Sequence, residues 1–84
     1  MGTDYKPIPC AAYETLERYV ISGREVALLY VNGDGTCHER TVIVDLLTEG
    51  GVEYAVLASS GRLRLDRIVR VDDVALADLG NCRL

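Results

Sequence analysis

The sequence predicts a small, mostly β domain of the α+β class, with one helix near its N-terminus. The chain has 84 residues, of which 49% are hydrophobic, and a chain of this length forms a single core. Its hydrophobic pattern changes from a helical period to strand-like alternation at Ser22-Gly23. Beyond that point, clusters of Gly, Asn, Asp and Ser separate short apolar stretches, as turns separate strands. We therefore predict one domain over residues 1–84.

The first predicted element is an amphipathic helix within about residues 10–22. It follows an extended lead-in at 1–9, which Pro7 and Pro9 favour. At about 100° per residue, the apolar positions of this segment fall on one side of a helix and the charged positions on the other. The apolar side comprises Ala12, Tyr13, Leu16, Tyr19 and Val20, and the charged side Glu14, Glu17 and Arg18. Gly23 supplies a stop, because glycine accepts the left-handed conformation common at helix C-termini.

About five strands are predicted after the helix, each bounded by a turn or bend. The strands cover about 25–31, 36–47, 52–57, 62–66 and 68–71, and the turns cover 32–35, 48–51 and 59–61. The strand at 36–47 is polar in its first half and apolar in its second, so we expect it to bend and to serve a different sheet with each half. One helix followed by about five bent antiparallel strands outlines a small Sm-like or SH3-like barrel. The tail at 72–84 has only a weak helical or irregular pattern.

Charge and composition limit the possible partners and locations. Nine Lys and Arg against 13 Asp and Glu give a net charge of −4, which disfavours nucleic acid and anionic membranes and suits a basic protein surface. The N-terminus has no secretory signal pattern. The longest apolar run, 26–31, is far shorter than the ~20 residues that cross a bilayer. Cys10, Cys37 and Cys82 are scattered and odd in number, which predicts reduced thiols and a cytoplasmic protein.

The sequence has no pattern typical of a catalytic or cofactor site. His38 is the only histidine, and adjacent strand residues point to opposite faces, so we interpret His38 and Cys37 as ordinary strand residues. The glycines belong to turns between strands, and none begins a helix as a phosphate-binding loop requires. Metal ligands at workable spacing are absent from the sequence. We predict a protein that is not an enzyme and that uses no cofactor or metal.

Two charged groups are candidate binding surfaces. Glu14 and Glu17 on the helix are suited to occupy a basic nucleic-acid site on another protein, with Tyr13 beside them as an interface aromatic. They are equally compatible with a solvated helix surface. The alternative is the one basic concentration of the chain, which consists of Arg62, Arg64, Arg67 and Arg70. These arginines are compatible with binding to RNA or to an acidic partner, and also with an ordinary solvated strand face.

Three stretches of the chain resemble a known family. The stretch Tyr5-Lys6-Pro7-Ile8-Pro9-Cys10, followed by Tyr13-Glu14-Thr15-Leu16-Glu17, resembles the opening of the Rof-type Rho-binding antiterminators. Asp45-Leu46 with Val52-Glu53-Tyr54, and then Arg64-Leu65-Asp66-Arg67-Ile68, are similar to later signatures of that family in the same order. The resemblance covers most of residues 4–71. It implies a cytoplasmic bacterial protein with an Sm-like fold and an N-terminal helix. Such a protein binds the helicase Rho near its primary RNA site, reduces RNA loading and opposes Rho-dependent termination.

The resemblance also implies which residues contact Rho. Tyr13, Glu14 and Glu17 match the helix that faces Rho in the family. The chain departs from the family at Ala11 and Ala12, where members can carry acidic residues, and in the loop at 48–51, which is acidic and Gly-rich rather than basic. We expect a monomer that binds Rho through the helix. The first alternative is an Sm-like RNA-binding module that uses the four arginines. A small-molecule-sensing or purely structural domain stays open as a third class, because the sequence offers no ligand signature.

Overall fold

A computed structural model describes residues 8–79 of the chain and shows one helix and two antiparallel sheets. Helix α1 covers Cys10–Ser22. The strands are β1 (Val26–Asn32), β2 (Gly35–Thr41), β3 (Ile43–Glu49), β4 (Val52–Leu57), β5 (Gly61–Arg64), β6 (Ile68–Val71) and β7 (Val74–Ala75). Short 3-10 helices cover Leu65–Arg67 and Leu76–Asp78. The mostly β, α+β prediction with an N-terminal helix is confirmed.

Helix α1 buries the apolar face and exposes the charged face that its sequence predicts. Ala12 and Leu16 are fully buried, while the predicted charged side is exposed. The helix begins without a side-chain cap, since the residue before it is Pro9, whose carbonyl accepts the N–H of Ala12 at 3.0 Å. It ends at Gly23, which has φ 68° and donates its N–H to the carbonyl of Tyr19 at 3.0 Å. The left-handed C-cap is therefore the stop that glycine was expected to provide.

The long strand predicted at 36–47 divides into two strands in different sheets. The first sheet has the order β2-β1-β6-β7 and the second β3-β4-β5. Val42 lies between β2 and β3, and its neighbours Thr41 and Ile43 are both buried, so the chain turns around the core at this point. The Ala58 N–H donates to the Val42 carbonyl at 2.9 Å and ties the end of β4 to the bend. The expected bend is confirmed.

The core is aliphatic and draws on both sheets and α1. It comprises Ala12, Leu16, Val26, Leu28, Ile43, Ala55, Leu57, Leu65, Ile68, Val71 and Leu76. Leu63 packs against this cluster from β5, so the leucines of the alternating stretch at 62–66 point inward as predicted. Burial of such a continuous apolar surface is the main driving force for folding.

The second half of the chain differs from the prediction in detail. The strand predicted at 62–66 ends at Arg64 and continues as a 3-10 helix, and the tail contains β7, which the sequence did not indicate. The turn before β7 depends on Asp72, which adopts φ 53°. Its carboxylate accepts the Ala27 N–H at 2.9 Å and the Arg24 guanidinium at 2.9 Å. These contacts tie the turn between β6 and β7 to the start of β1, a distant segment of the sequence, and local periodicity does not report such a contact.

The prediction of reduced thiols is wrong for Cys10, which is disulfide-bonded, whereas Cys37 is a free, half-buried thiol. Spacing along a sequence does not show which cysteines a fold brings within bonding distance. Residues 1–7 of the lead-in, and Cys82 with the rest of 80–84, lie outside the described residues. Within residues 8–79, no helix has the length and apolar character needed to cross a membrane.

Candidate functional site

A groove of about 270 Å³ runs between helix α1 and strand β3. It is lined by Tyr13, Glu17, Val20, Ile21, Asp45 and Leu46. Four of these residues come from α1, where a spacing of three or four places them on one face. The remaining two come from β3. This α1–β3 groove therefore combines apolar and aromatic walls with one carboxylate from each element.

Strand β3 carries a bulge beside the groove. Ile43 pairs with Leu57 and Asp45 pairs with Val56, so Val44 is an extra residue in this strand. A bulge bends its strand and changes the direction of the neighbouring side chains. Directly after it, the Asp45 carboxylate accepts the N–H of the next residue at 2.8 Å. The sequence placed Asp45 in a strand but gave no reason to assign it to a site.

Several carboxylates act on the Tyr13 phenol in the groove. The pKa of the Tyr13 phenol is raised above its ordinary value, first by burial and then by the negative charges of Glu17, Glu53 and Asp45. Each of these carboxylates makes the loss of the phenolic proton less favourable. A cation placed in the groove is therefore attracted from several directions.

Two properties of the groove are typical of a protein-binding surface. Within residues 8–79, neither Glu17 nor Asp45 forms an ion pair. Ile21, which lines the groove, is 85% exposed, whereas the other exposed large apolar side chains of the described residues are at most 49% exposed. An exposed apolar residue beside uncompensated charge suits a partner that is itself cationic and partly apolar.

The structure brings together two of the three helix residues that the resemblance singled out. Tyr13 and Glu17 both line the α1–β3 groove, whereas Glu14 is exposed on α1 outside the lining. Ile21 and Asp45 are groove residues that sequence reasoning missed. The alternation of polar and apolar residues indicated a strand around Asp45, but only the packing of α1 on β3 makes Asp45 part of a site.

The two arginines of β5 are engaged with neighbouring side chains. Arg62 forms an ion pair with Glu49, and its guanidinium lies 5.4 Å from the centre of the Tyr54 ring. Arg64 makes a double contact with Asp66, Nε to Oδ1 at 3.0 Å and Nη2 to Oδ2 at 2.6 Å. We name Arg62, Arg64 and their partners the β5 arginine face. Tyr54 is an aromatic residue within this face that the linear sequence did not reveal.

The other two arginines of the predicted basic group lie elsewhere. Arg67 is exposed in the first 3-10 helix, and Arg70 lies on β6 in the other sheet. Leu29 of β1 pairs with Arg70 on one side and with His38 on the other. The four arginines are therefore distributed over three elements.

His38 and Cys37 have no arrangement suited to catalysis. Cys37 pairs across β1 with Tyr30 and His38 pairs with Leu29, so their side chains point to opposite faces. Within residues 8–79, no cluster of three or more His, Cys, Asp or Glu side chains is placed to hold a metal ion.

Comparison of the sequence with models of protein families finds no match, and a search among curated proteins finds none either. The groove geometry and the sequence resemblance are therefore the two grounds on which a function can be proposed.

Proposed function

We propose that this protein is a Rof-type antiterminator, a non-enzymatic Sm-like domain that binds Rho near its primary RNA-binding site and blocks RNA loading. The α1–β3 groove is the observation that carries this proposal. It places Tyr13 and Glu17, which match the family's Rho-facing helix, beside a further carboxylate and an exposed apolar side chain. Glu14 lies exposed on the same helix and extends the negative surface.

The proposed mechanism is competition for a basic surface. An RNA-binding site carries Lys and Arg side chains that receive phosphates. Carboxylates of α1 can pair with the same side chains and exclude RNA without any chemical step. Close charge pairs in a tight protein complex have coupling energies of about 1.5–7 kcal/mol, so carboxylates placed near basic side chains are able to compete with phosphates.

The arrangement of the sheets supports the Sm-like part of the proposal. The chain passes from the first sheet to the second through the bend at Val42, between β2 and β3. Short antiparallel strands that bend from one sheet into another around a single core are typical of small barrels. The protein is proposed to act as a monomer in the bacterial cytoplasm, where Rho acts. The disulfide at Cys10 weighs against this location, because disulfides are more typical of oxidising compartments.

A competition assay tests the proposal. Purified Rho is bound to a fluorescent single-stranded RNA, and the domain is added at increasing concentration. We expect RNA to be displaced, with less displacement at higher salt, because screening weakens charge pairs at a surface. The domain without Rho serves as the control and is expected to leave the RNA signal unchanged. RNA that stays on Rho in the presence of excess domain contradicts the proposal.

The RNA-binding alternative has one observation in its favour. The Tyr54 ring beneath Arg62 resembles the stacking surfaces on which single-stranded nucleic acids bind. The ion pairs of Arg62 and Arg64 weigh against it, because phosphates would have to compete with carboxylates already in place. Direct RNA binding at physiological salt that is lost in the double variant Arg64→Glu with Arg67→Glu would favour this function over the first.

A further inference from the structure

We propose that the α1–β3 groove receives a single arginine side chain of the partner, held between Glu17 of the helix and Asp45 of the strand. The inference rests on the proposed function, since Rho is expected to supply a basic surface. It adds Asp45 of β3 and Ile21 of α1 to the helix contacts that the resemblance implies. Asp45 and Ile21 become determinants of partner recognition.

The occupant is a cation because the groove is negatively charged and lacks its own cation within the described residues. Glu17 and Asp45 line it from different elements, and no described Lys, Arg or His side chain pairs with either of them. A mobile salt ion would satisfy charge alone. It would leave the apolar part of the groove, formed by Val20, Ile21 and Leu46, exposed to water.

Arginine fits this lining better than lysine does. Its planar guanidinium presents five N–H donors and can engage carboxylates on two sides, whereas an ammonium is a compact, strongly hydrated charge. A guanidinium also stacks on aromatic rings, and Tyr13 lines the groove. The aliphatic part of the side chain can pack against Val20 and Leu46. The exposed Ile21, which also lines the groove, offers further apolar surface.

Asp45 is the residue through which the inference is most cleanly tested. Its carboxylate accepts the backbone N–H of Leu46, and an asparagine keeps an oxygen for that hydrogen bond. Asp45→Asn therefore removes the charge and preserves the strand. Asp34→Asn is the matched control, because Asp34 is exposed in the β1–β2 turn and lies outside the groove lining.

The experiment has two arms, one without Rho and one with it. In the first, the ¹⁵N-labelled domain is titrated with N-acetylarginine amide and, separately, with N-acetyllysine amide. We expect arginine to shift the amide signals of the groove residues at millimolar concentration, with a several-fold weaker response to lysine. Asp45→Asn should weaken the arginine response about tenfold, and Asp34→Asn should leave it unchanged.

In the second arm, the affinity of each variant for Rho is measured. We expect Asp45→Asn to weaken binding about tenfold and Ile21→Ser to weaken it several-fold, with Asp34→Asn matching the wild type. If Rho binds all variants equally and arginine shifts no groove signal, the inference is overturned while the proposed function stands. If arginine shifts the groove signals but the wild-type domain does not bind Rho, the inference is supported and the proposed function fails. Equal responses to lysine and arginine overturn the choice of arginine.

Discussion

The α1–β3 groove and the β5 arginine face are both charged, but their charges are used differently. In the groove, Glu17 and Asp45 form no ion pair within residues 8–79. On the arginine face, Arg62 and Arg64 each pair with a carboxylate of the same chain. A charge without an internal partner is available to another molecule, whereas a paired charge already contributes to its own fold. Substitutions in the groove should therefore affect binding, and substitutions on the arginine face should affect stability.

The largest effect on stability is expected from Asp66→Ala. The side chains of Arg64 and Asp66 are 21% and 13% exposed, so removing the carboxylate leaves a largely buried guanidinium without that contact. We expect the free energy of unfolding to fall by about 2–3 kcal/mol, measured by urea denaturation. Asp45→Asn is the comparison from the groove and should change stability by less than about 0.5 kcal/mol. Equal losses in the two variants would contradict the distinction between the two regions.

A smaller loss, about 1–2 kcal/mol, is expected from Asp72→Ala. This substitution removes the acceptor of the Ala27 N–H and the partner of Arg24, and it places alanine at φ 53°. Asp72→Asn is the matched control, because asparagine tolerates positive φ and keeps an acceptor oxygen. It should lose less than the alanine variant in the same urea experiment. Identical losses would show that the backbone hydrogen bond contributes nothing.

Asp72 also predicts how the domain responds to acid. Its pKa is lowered, first by the hydrogen bond from the Ala27 N–H and then by Arg24, against an opposing effect of burial. Because the pKa of Asp72 is lower in the folded state, its ionised carboxylate stabilises the fold at pH values above the ordinary aspartate pKa of about 3.9. This stabilisation is lost as the pH falls through the pKa that Asp72 has in the folded state. Urea unfolding at a series of pH values should show this loss in the wild type. The acid-induced loss should be smaller in Asp72→Asn, and an identical pH profile in both proteins would contradict the assignment.

The smallest expected effect is a change in the pKa of Tyr13 in the domain without a partner. The raised pKa of Tyr13 should fall towards its ordinary value in Glu17→Gln, though not reach it, because burial is the larger cause. The pKa is measured by NMR titration of tyrosines labelled at Cζ. Tyr30 is the internal control, since its pKa is raised first by its hydrogen bond to Glu39. A Tyr13 pKa that does not change in Glu17→Gln would contradict this effect of the Glu17 charge.

The raised Tyr13 pKa also has a consequence at high pH. Because Tyr13 holds its proton more tightly in the folded state, its protonated phenol stabilises the fold at pH values below the ordinary tyrosine pKa of about 10. This stabilisation is lost as the pH rises through the pKa that Tyr13 has in the folded state. Tyr13→Phe should therefore lose less stability in alkali than the wild type does, measured by urea unfolding at a series of pH values. Parallel curves for the two proteins would contradict this.

Much of the fold could be predicted from local patterns because the elements carry strong local signals. The helix at 10–22 is predictable from the helical period of its apolar residues, of which Ala12 and Leu16 are buried, and from Gly23 at its end. The division of the strand at 36–47 follows from its change in polarity. The short β7 could not be predicted, because it depends on Asp72 bonding to a segment 45 residues away.

The candidate site was predictable only on its helix side. Tyr13, Glu14 and Glu17 have helical spacing and match the helix that faces Rho in the family. Asp45 lies in a stretch that resembles the family but that implied no role for it, and Ile21 has no local signal that distinguishes it from other surface residues. Their role follows from the contact between α1 and β3, which is a property of the tertiary structure. The disulfide of Cys10 was missed for the same reason.

The most direct test of the account is the affinity for Rho of the double variant Glu14→Lys with Glu17→Lys. Both side chains are exposed, so the fold should persist, as a circular dichroism spectrum would check. The control is Asp34→Lys with Asp78→Lys, which changes the net charge equally at exposed positions outside the groove lining. We expect this helix variant to bind Rho at least about a hundredfold more weakly than the wild type, since each reversed charge costs about tenfold or more. The control should stay within a few-fold of the wild type, and a folded helix variant with wild-type affinity would contradict the account.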